Sequence, residues 1–186
     1  MRKMRKFDDI DIIEKEISRQ RIYSGKILDL DKATVILPNG NEAFREIIVH
    51  KGAAAILPIN DKGEAAMVRQ YRAALGEVTL EIPAGKLDSL SEDPLDCAVR
   101  ELREETGLSA ENMRLLVRML PAIGYSNEVI SVYLATGLSQ SQASPDDDEF
   151  INLNWIPFGE LFEAAMAGEI TDSKTLTAIL MAKELL

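Results

Sequence analysis

Glu101, Glu104 and Glu105 stand at i, i+3 and i+4, the spacing that puts side chains on one face of an α-helix. Three like charges so placed repel one another. A sequence that keeps them either leaves that face in water or binds cations there, and the guest that suits clustered carboxylates is a hard divalent cation. The segment around them is punctuated as a helix. Asp93 and Pro94 read as its start, with Pro94 at the first helical position where a missing N–H costs nothing, and Gly107 reads as the residue just past its end. Leu95, Ala98, Val99 and Leu102 form the predicted apolar stripe of this helix.

Gly85, then six residues, Glu92, then seven residues, and Arg100-Glu101-Leu102-Arg103-Glu104-Glu105-Thr106-Gly107-Leu108 together resemble the Nudix box. The family pattern has five residues between its Gly and first Glu, so the loop entering the helix is one residue longer here; from Glu92 onward every position fits. The resemblance implies an α/β fold, a Nudix-type α/β/α sandwich with a mixed sheet, that hydrolyses a nucleoside diphosphate linked to another group. It implies Mg²⁺, with Mn²⁺ as a substitute, held by Glu101, Glu104, Glu105 and the carbonyl of Ala84. Gly85, Glu92, Arg100 and Gly107 are then structural members of the motif, Glu92 and Arg100 pairing with each other. Arg103 lies off the metal face.

Elements on either side must position this helix. Ile22 to Leu37 is strand-like and runs into Pro38-Asn39-Gly40, a strong turn signal, with Glu42 to His50 as the return strand. Residues 1–44 therefore read as a small N-terminal β subdomain and residues 45–186 as the hydrolase domain, with no Gly-, Ser- or Pro-rich linker between them. Ala53 to Ile59 and Ala65 to Tyr71, joined by Asn60-Asp61-Lys62-Gly63, read as a second hairpin. Leu80 to Gly85 is a strand leading into the box, and Ala84-Gly85 allows close backbone approach. Met113 to Leu120, Val129 to Ala135 and Phe150 to Ile156 complete the strands. Gly159 to Ala167 is a helix, and a final amphipathic helix capped by Thr171 or Asp172 runs to Leu186.

Over most of its length the chain resembles the ADP-ribose pyrophosphatase branch of the family, and the likeness implies substrate contacts by Arg45, Arg72, Glu81, Tyr125 and Glu128. Read without it, Arg72 is a solvated arginine, Glu81 a strand carboxylate paired with an arginine, and Tyr125 a ring capping the core edge. Similar enzymes have Ser-Pro-Gly where this chain has Ala122-Ile123-Gly124. In the polar, acidic stretch 137–149, the carboxylates corresponding to the family's general base or metal ligand are Asp147 and Glu149; Glu104 is the other catalytic candidate. The branch consists of homodimers that use the N-terminal region. ADP-ribose is the implied substrate, with another nucleoside diphosphate sugar such as GDP-mannose, or a regulatory nucleotide-binding role without turnover, as alternatives.

Composition sets outer bounds. Thirty-one acidic residues against 21 basic ones give a net charge of −10, which does not favour nucleic acid or anionic membranes. Cys97 is the single cysteine and has no histidine near it in sequence, and His50 is the single histidine, so a His/Cys zinc site is not expected. No segment reaches the apolar length of a membrane span, and the basic start lacks the apolar run of a signal peptide; the expectation is a cytoplasmic protein.

Overall fold

The structure, a computed structural model, describes residues 9–142 and 150–186. Its contacts divide the chain into two compact units, Met1–His50 with Ala122–Asn127, and Lys51–Pro121 with Glu128–Leu186.

The first unit is built on an antiparallel sheet in the order β1 (Lys15–Ser24), β2 (Asp29–Ile36) and β3 (Glu42–Val49), preceded by one 3-10 turn at Ile10–Ile12. The β2–β3 hairpin turns at the Pro38-Asn39-Gly40 signal, where Gly40 takes φ 85° and Asn39 Oδ1 accepts from the Asn41 N–H at 3.0 Å. Sequence reading placed the strand-like pattern from Ile22, whereas β1 already begins at Lys15. All ten residues of β1 are exposed, so no alternation of buried and exposed positions marks it. Its charges are paired instead: Arg19 with Glu16 at 2.6 Å, and Arg21 with Asp29 and the buried Asp31. Residues 122–127 attach to the end of β3, Ile48 N–H donating to the Tyr125 carbonyl at 2.7 Å.

The second unit contains two sheets. A mixed four-stranded sheet has the order β7 (Ala84–Lys86), β4 (Ala53–Pro58), β9 (Ile130–Gln140) and β8 (Leu108–Met119), with β4 and β9 parallel. An antiparallel three-stranded sheet has the order β10 (Ile151–Pro157), β5 (Glu64–Arg72) and β6 (Glu77–Glu81). The expected hairpin between Ala53–Ile59 and Ala65–Tyr71 is therefore not one: β4 and β5 lie in different sheets and share a single bridge, Ile59 to Ala65. The expected strand from Leu80 to Gly85 is likewise divided. β6 pairs with β5, the chain passes through Ile82-Pro83, and β7 pairs with β4.

β4 is buried along its whole length and separates two apolar clusters. Ala53, Ala55 and Leu57 face a cluster completed by α2 (Phe158–Ala167) and α3 (Ser173–Ala182); Ala54 and Ile56 face one completed by α1 (Pro94–Thr106). Helices on both faces of a mixed sheet give the α/β/α arrangement. The face that α1 buries differs from the predicted stripe. Cys97, Ala98 and Leu102 are buried with Glu101, while Leu95 and Val99 are exposed. Leu87 and Leu108, just outside the helix, fill the rest of that cluster, so Leu95 and Val99 are not needed there.

Candidate active site

α1 is held at both ends as its sequence requires. Asp93 caps the start by accepting from the Leu95 N–H at 2.8 Å, and Gly107 closes the end at φ 69°, where a side chain would be strained. Between these caps the acidic face meets β7. Glu105 Oε2 accepts from the Ala84 N–H at 3.2 Å, and the Glu101 carboxylate rests on Gly85 so closely that a Cβ there would lie 1.9 Å from its Oε1. Gly85 has no positive φ, so the need for glycine is one of space. Glu101 is buried; Glu104 and Glu105 are half-buried, and Arg103 is exposed, off the acidic face.

Arg100 is the counter-ion of this face. Its Nη1 donates to Glu101 Oε1 at 2.6 Å and to Glu104 Oε2 at 3.1 Å, and its Nη2 donates to Glu92 Oε1 at 3.3 Å and to the Lys86 carbonyl at 3.2 Å. Burial opposes the charge, but Glu101 and Glu104 outweigh it and raise the guanidinium above its ordinary value. Glu92 also accepts from the Asp88 N–H at 2.5 Å, which ties the entry loop to the helix. The expected Glu92–Arg100 pair is thus one part of a wider network. The loop between Gly85 and Glu92 includes the exposed turn Ser89–Ser91, where Leu90 is 84 % exposed.

The donor set fits a hard divalent cation: it is made of oxygen only, carries several negative charges, and has a glycine cradle beneath Glu101. Among the described residues, no group of three or more acidic, His or Cys side chains converges closely enough to hold an ion as it stands, and Arg100 bridges two of the carboxylates. Each of these two carboxylates meets Arg100 through one oxygen, Glu101 Oε1 and Glu104 Oε2. Cys97, buried below, is pushed up to about 12 by its burial, so its thiol stays protonated and unreactive at neutral pH.

Close to this face lies a cavity of about 400 Å³ lined by Arg72, Leu75, Thr79, Glu81, Asp172 and Lys174, among others. Arg72 grips Glu81 in a two-pronged pair, Nε to Oε1 and Nη2 to Oε2, each at 2.7 Å. Thr79 donates to Glu81 Oε1 at 2.6 Å, and Lys174 reaches Glu81 Oε2 and Asp172 Oδ2. Glu81 is 3 % exposed; burial alone would raise its pKa, yet Arg72, Lys174 and Thr79 hold it at about 2. Glu105 contributes to raising Arg72, so the two groups of charges feel each other. Sequence reading named Arg72 and Glu81 but not Thr79, Asp172 or Lys174. The signal for the last two was the helix start itself, since Asp172 caps α3 through the Thr175 N–H at 3.1 Å and Lys174 follows two residues on.

Arg45 and Tyr125 belong to the first unit, where Arg45 pairs with Glu14 and donates to the Phe44 carbonyl at 2.9 Å, and where the Tyr125 side chain is exposed. Glu128 is half-buried in the second unit. Asp147 and Glu149 fall outside the described residues. No helix among the described residues is long and apolar enough to cross a membrane.

An oxygen-only carboxylate face, carried by a capped helix on an α/β/α core beside a cavity lined by Arg72, Lys174, Glu81 and Asp172, defines the class, and the NUDIX domain profile matches residues 49–178: the chain belongs to the Nudix hydrolases. It is 40 % identical over 168 residues to the methanol dehydrogenase activator of Bacillus methanolicus, covering 89 % of this chain and 90 % of that one. It is 38 % identical to the ADP-ribose pyrophosphatase of Bacillus subtilis (strain 168), again with 89 % and 90 % covered. Among solved structures it resembles an ADP compounds hydrolase with a TM-score of 0.81 at 18 % identity, covering 93 % of this chain and 94 % of that one, which supports the fold.

Proposed function

We propose that this protein is a Mg²⁺-dependent pyrophosphatase that hydrolyses ADP-ribose to AMP and ribose 5-phosphate. The observation that carries the reading is the juxtaposition of the Arg72 cavity with the α1 carboxylate face: β6 ends at Glu81, which Arg72 grips, and three residues on β7 begins at Ala84, where Ala84 and Gly85 meet Glu105 and Glu101. The similarity to an ADP-ribose pyrophosphatase over 89 % of the chain supports the choice of substrate. A bound divalent cation supplies charge neutralisation at phosphate oxygens and a better water nucleophile. Glu101, Glu104, Glu105 and the Ala84 carbonyl would hold it, and Mn²⁺ would substitute.

The remaining work falls to the protein's own groups. Arg72 has two of its N–H groups committed to Glu81 and offers the others to an anionic phosphate. Gly85 and Arg100 fix the carboxylates, and Asp147 or Glu149 takes the proton of the attacking water. The assignments of Arg45, Tyr125 and Glu128 to substrate rest on family resemblance. We also propose a homodimer formed through the residue 1–44 subdomain, because Ile17, Ile22, Tyr23 and Phe44 on its strands are each more than half exposed.

A second reading comes from the relative named as a methanol dehydrogenase activator: the chain would act on a dehydrogenase partner. A panel of ADP-ribose, GDP-mannose and diadenosine compounds, assayed with Mg²⁺ and resolved by chromatography, tests the first reading. ADP-ribose should show the highest kcat/KM. A tenfold preference for a guanosine or uridine sugar would overturn the substrate, and no cleavage of any compound would favour the second reading.

A further inference from the structure

The cavity contains a charge ladder that ties two distant parts of the chain together. Arg72 on β5 pairs with Glu81 at the end of β6, Glu81 with Lys174 in the first turn of α3, and Lys174 with the cap residue Asp172 at 3.0 Å. Two cations face two carboxylates, so the ladder is neutral overall. Glu81 is buried, and the Lys174 side chain is only 12 % exposed. Below the ladder, Thr175 Oγ1 accepts from the Ile82 N–H at 2.9 Å and donates to Asp172 at 2.6 Å, which clamps the same helix turn to the strand. That strand leads through Pro83 to Ala84 and Gly85, which meet Glu105 and Glu101.

We infer that Lys174 is a positioning residue for substrate binding: by sharing the Glu81 carboxylate with Arg72 and anchoring it to Asp172, it holds the Arg72 guanidinium with its remaining N–H groups turned to an anionic ligand. The inference rests on the reading that Arg72 meets the substrate phosphates. Its physical basis is that a buried carboxylate with a single partner can follow that partner, whereas one fixed from two sides acts as a rigid post. Without Lys174 the ladder also carries a net negative charge, which disfavours an anionic ligand. Lys174 itself is engaged by Glu81 and Asp172 and acts through Arg72.

The test uses K174M, K174R, R72A and the R72A/K174M double variant of the full chain. K174M should raise KM for the diphosphate substrate by about tenfold with kcat changed less than about threefold, K174R should recover most of this, and the double variant should be no worse than R72A. Independently, NMR exchange of the Arg72 Nε–H with solvent should accelerate in K174M, because that proton is protected by the Glu81 pair. Should K174M fail to fold, K174Q serves for both measurements. Additive effects of R72A and K174M, or an unchanged Nε–H exchange rate, would overturn the inference. An R72A variant with unchanged KM would instead overturn the substrate role of Arg72, and the exchange rate would still decide whether Lys174 holds it.

Discussion

Replacing Gly85 by alanine should damage the site through one contact. A Cβ at this position would lie 1.9 Å from Glu101 Oε1, 2.0 Å from its Cδ and 2.4 Å from Oε2. Normal carbon–oxygen contact is about 3.3 Å, so the carboxylate must retreat by more than about 1 Å. Glu101 is 8 % exposed and bonded to Arg100 at 2.6 Å, so retreat breaks a largely buried ion pair. The expected loss of stability is about 1–3 kcal/mol, and turnover should fall by about 10²-fold through misplacement of a ligand. The decisive comparison is the same change in a Glu101→Ala background, where the clashing atoms are gone. There Gly85→Ala should lie within about 0.5 kcal/mol of neutral, giving a coupling energy of about 1–2 kcal/mol. Urea unfolding of the four proteins, with slopes checked for constancy, measures it. Equal costs in both backgrounds would show that the glycine is required by the strand and not by the carboxylate.

Glu105→Gln should keep the fold and its stability, or raise stability slightly by relieving repulsion, while lowering turnover by at least about 10²-fold; parent-like turnover at saturating Mg²⁺ would remove Glu105 from the ligand set. Glu81 has a folded pKa of about 2 against an ordinary value of 4.5, so folding favours its carboxylate form. Its contribution, on the order of 3 kcal/mol, should be fully present above about pH 4.5 and lost as pH falls toward 2, and Glu81→Gln should flatten that part of the acid-unfolding curve relative to the parent. Deleting residues 1–44 should yield monomeric or insoluble, inactive protein; a monomeric, active full-length chain in light scattering would contradict the dimer.

What was legible in the sequence is what is local along the chain. The caps of α1, the shared face of its three glutamates and the turn at Asn39-Gly40 follow from residues within a few positions of each other, and the structure has them where the spacing put them. The predicted Ala53–Tyr71 hairpin failed because sequence proximity suggested pairing that the sheets do not make. β4 is buried on both faces and pairs in parallel with β9, more than seventy residues away. Alternation cannot signal a partner at that distance. β1 was placed only from Ile22 for the opposite reason: its exposed, ion-paired residues carry no periodicity in burial.

The site shows the same division at the scale of single side chains. Arg100 and Glu104 are four apart, so their pairing follows from helix geometry, but the shorter contact at 2.6 Å is to the adjacent Glu101. Neighbouring residues on a helix do not face each other, and only the length of the arginine side chain, turned back toward Lys86 and Glu92, brings its guanidinium over both carboxylates. Lys174 lies 93 residues from Glu81 and meets it only because Asp172 starts a helix where β6 ends. The α1 glutamates could thus be named from spacing, and Arg72 and Glu81 from the family resemblance, whereas the residues that hold them depend on which strand ends meet which helix starts. That is why the lysine between Glu81 and Asp172 was not found.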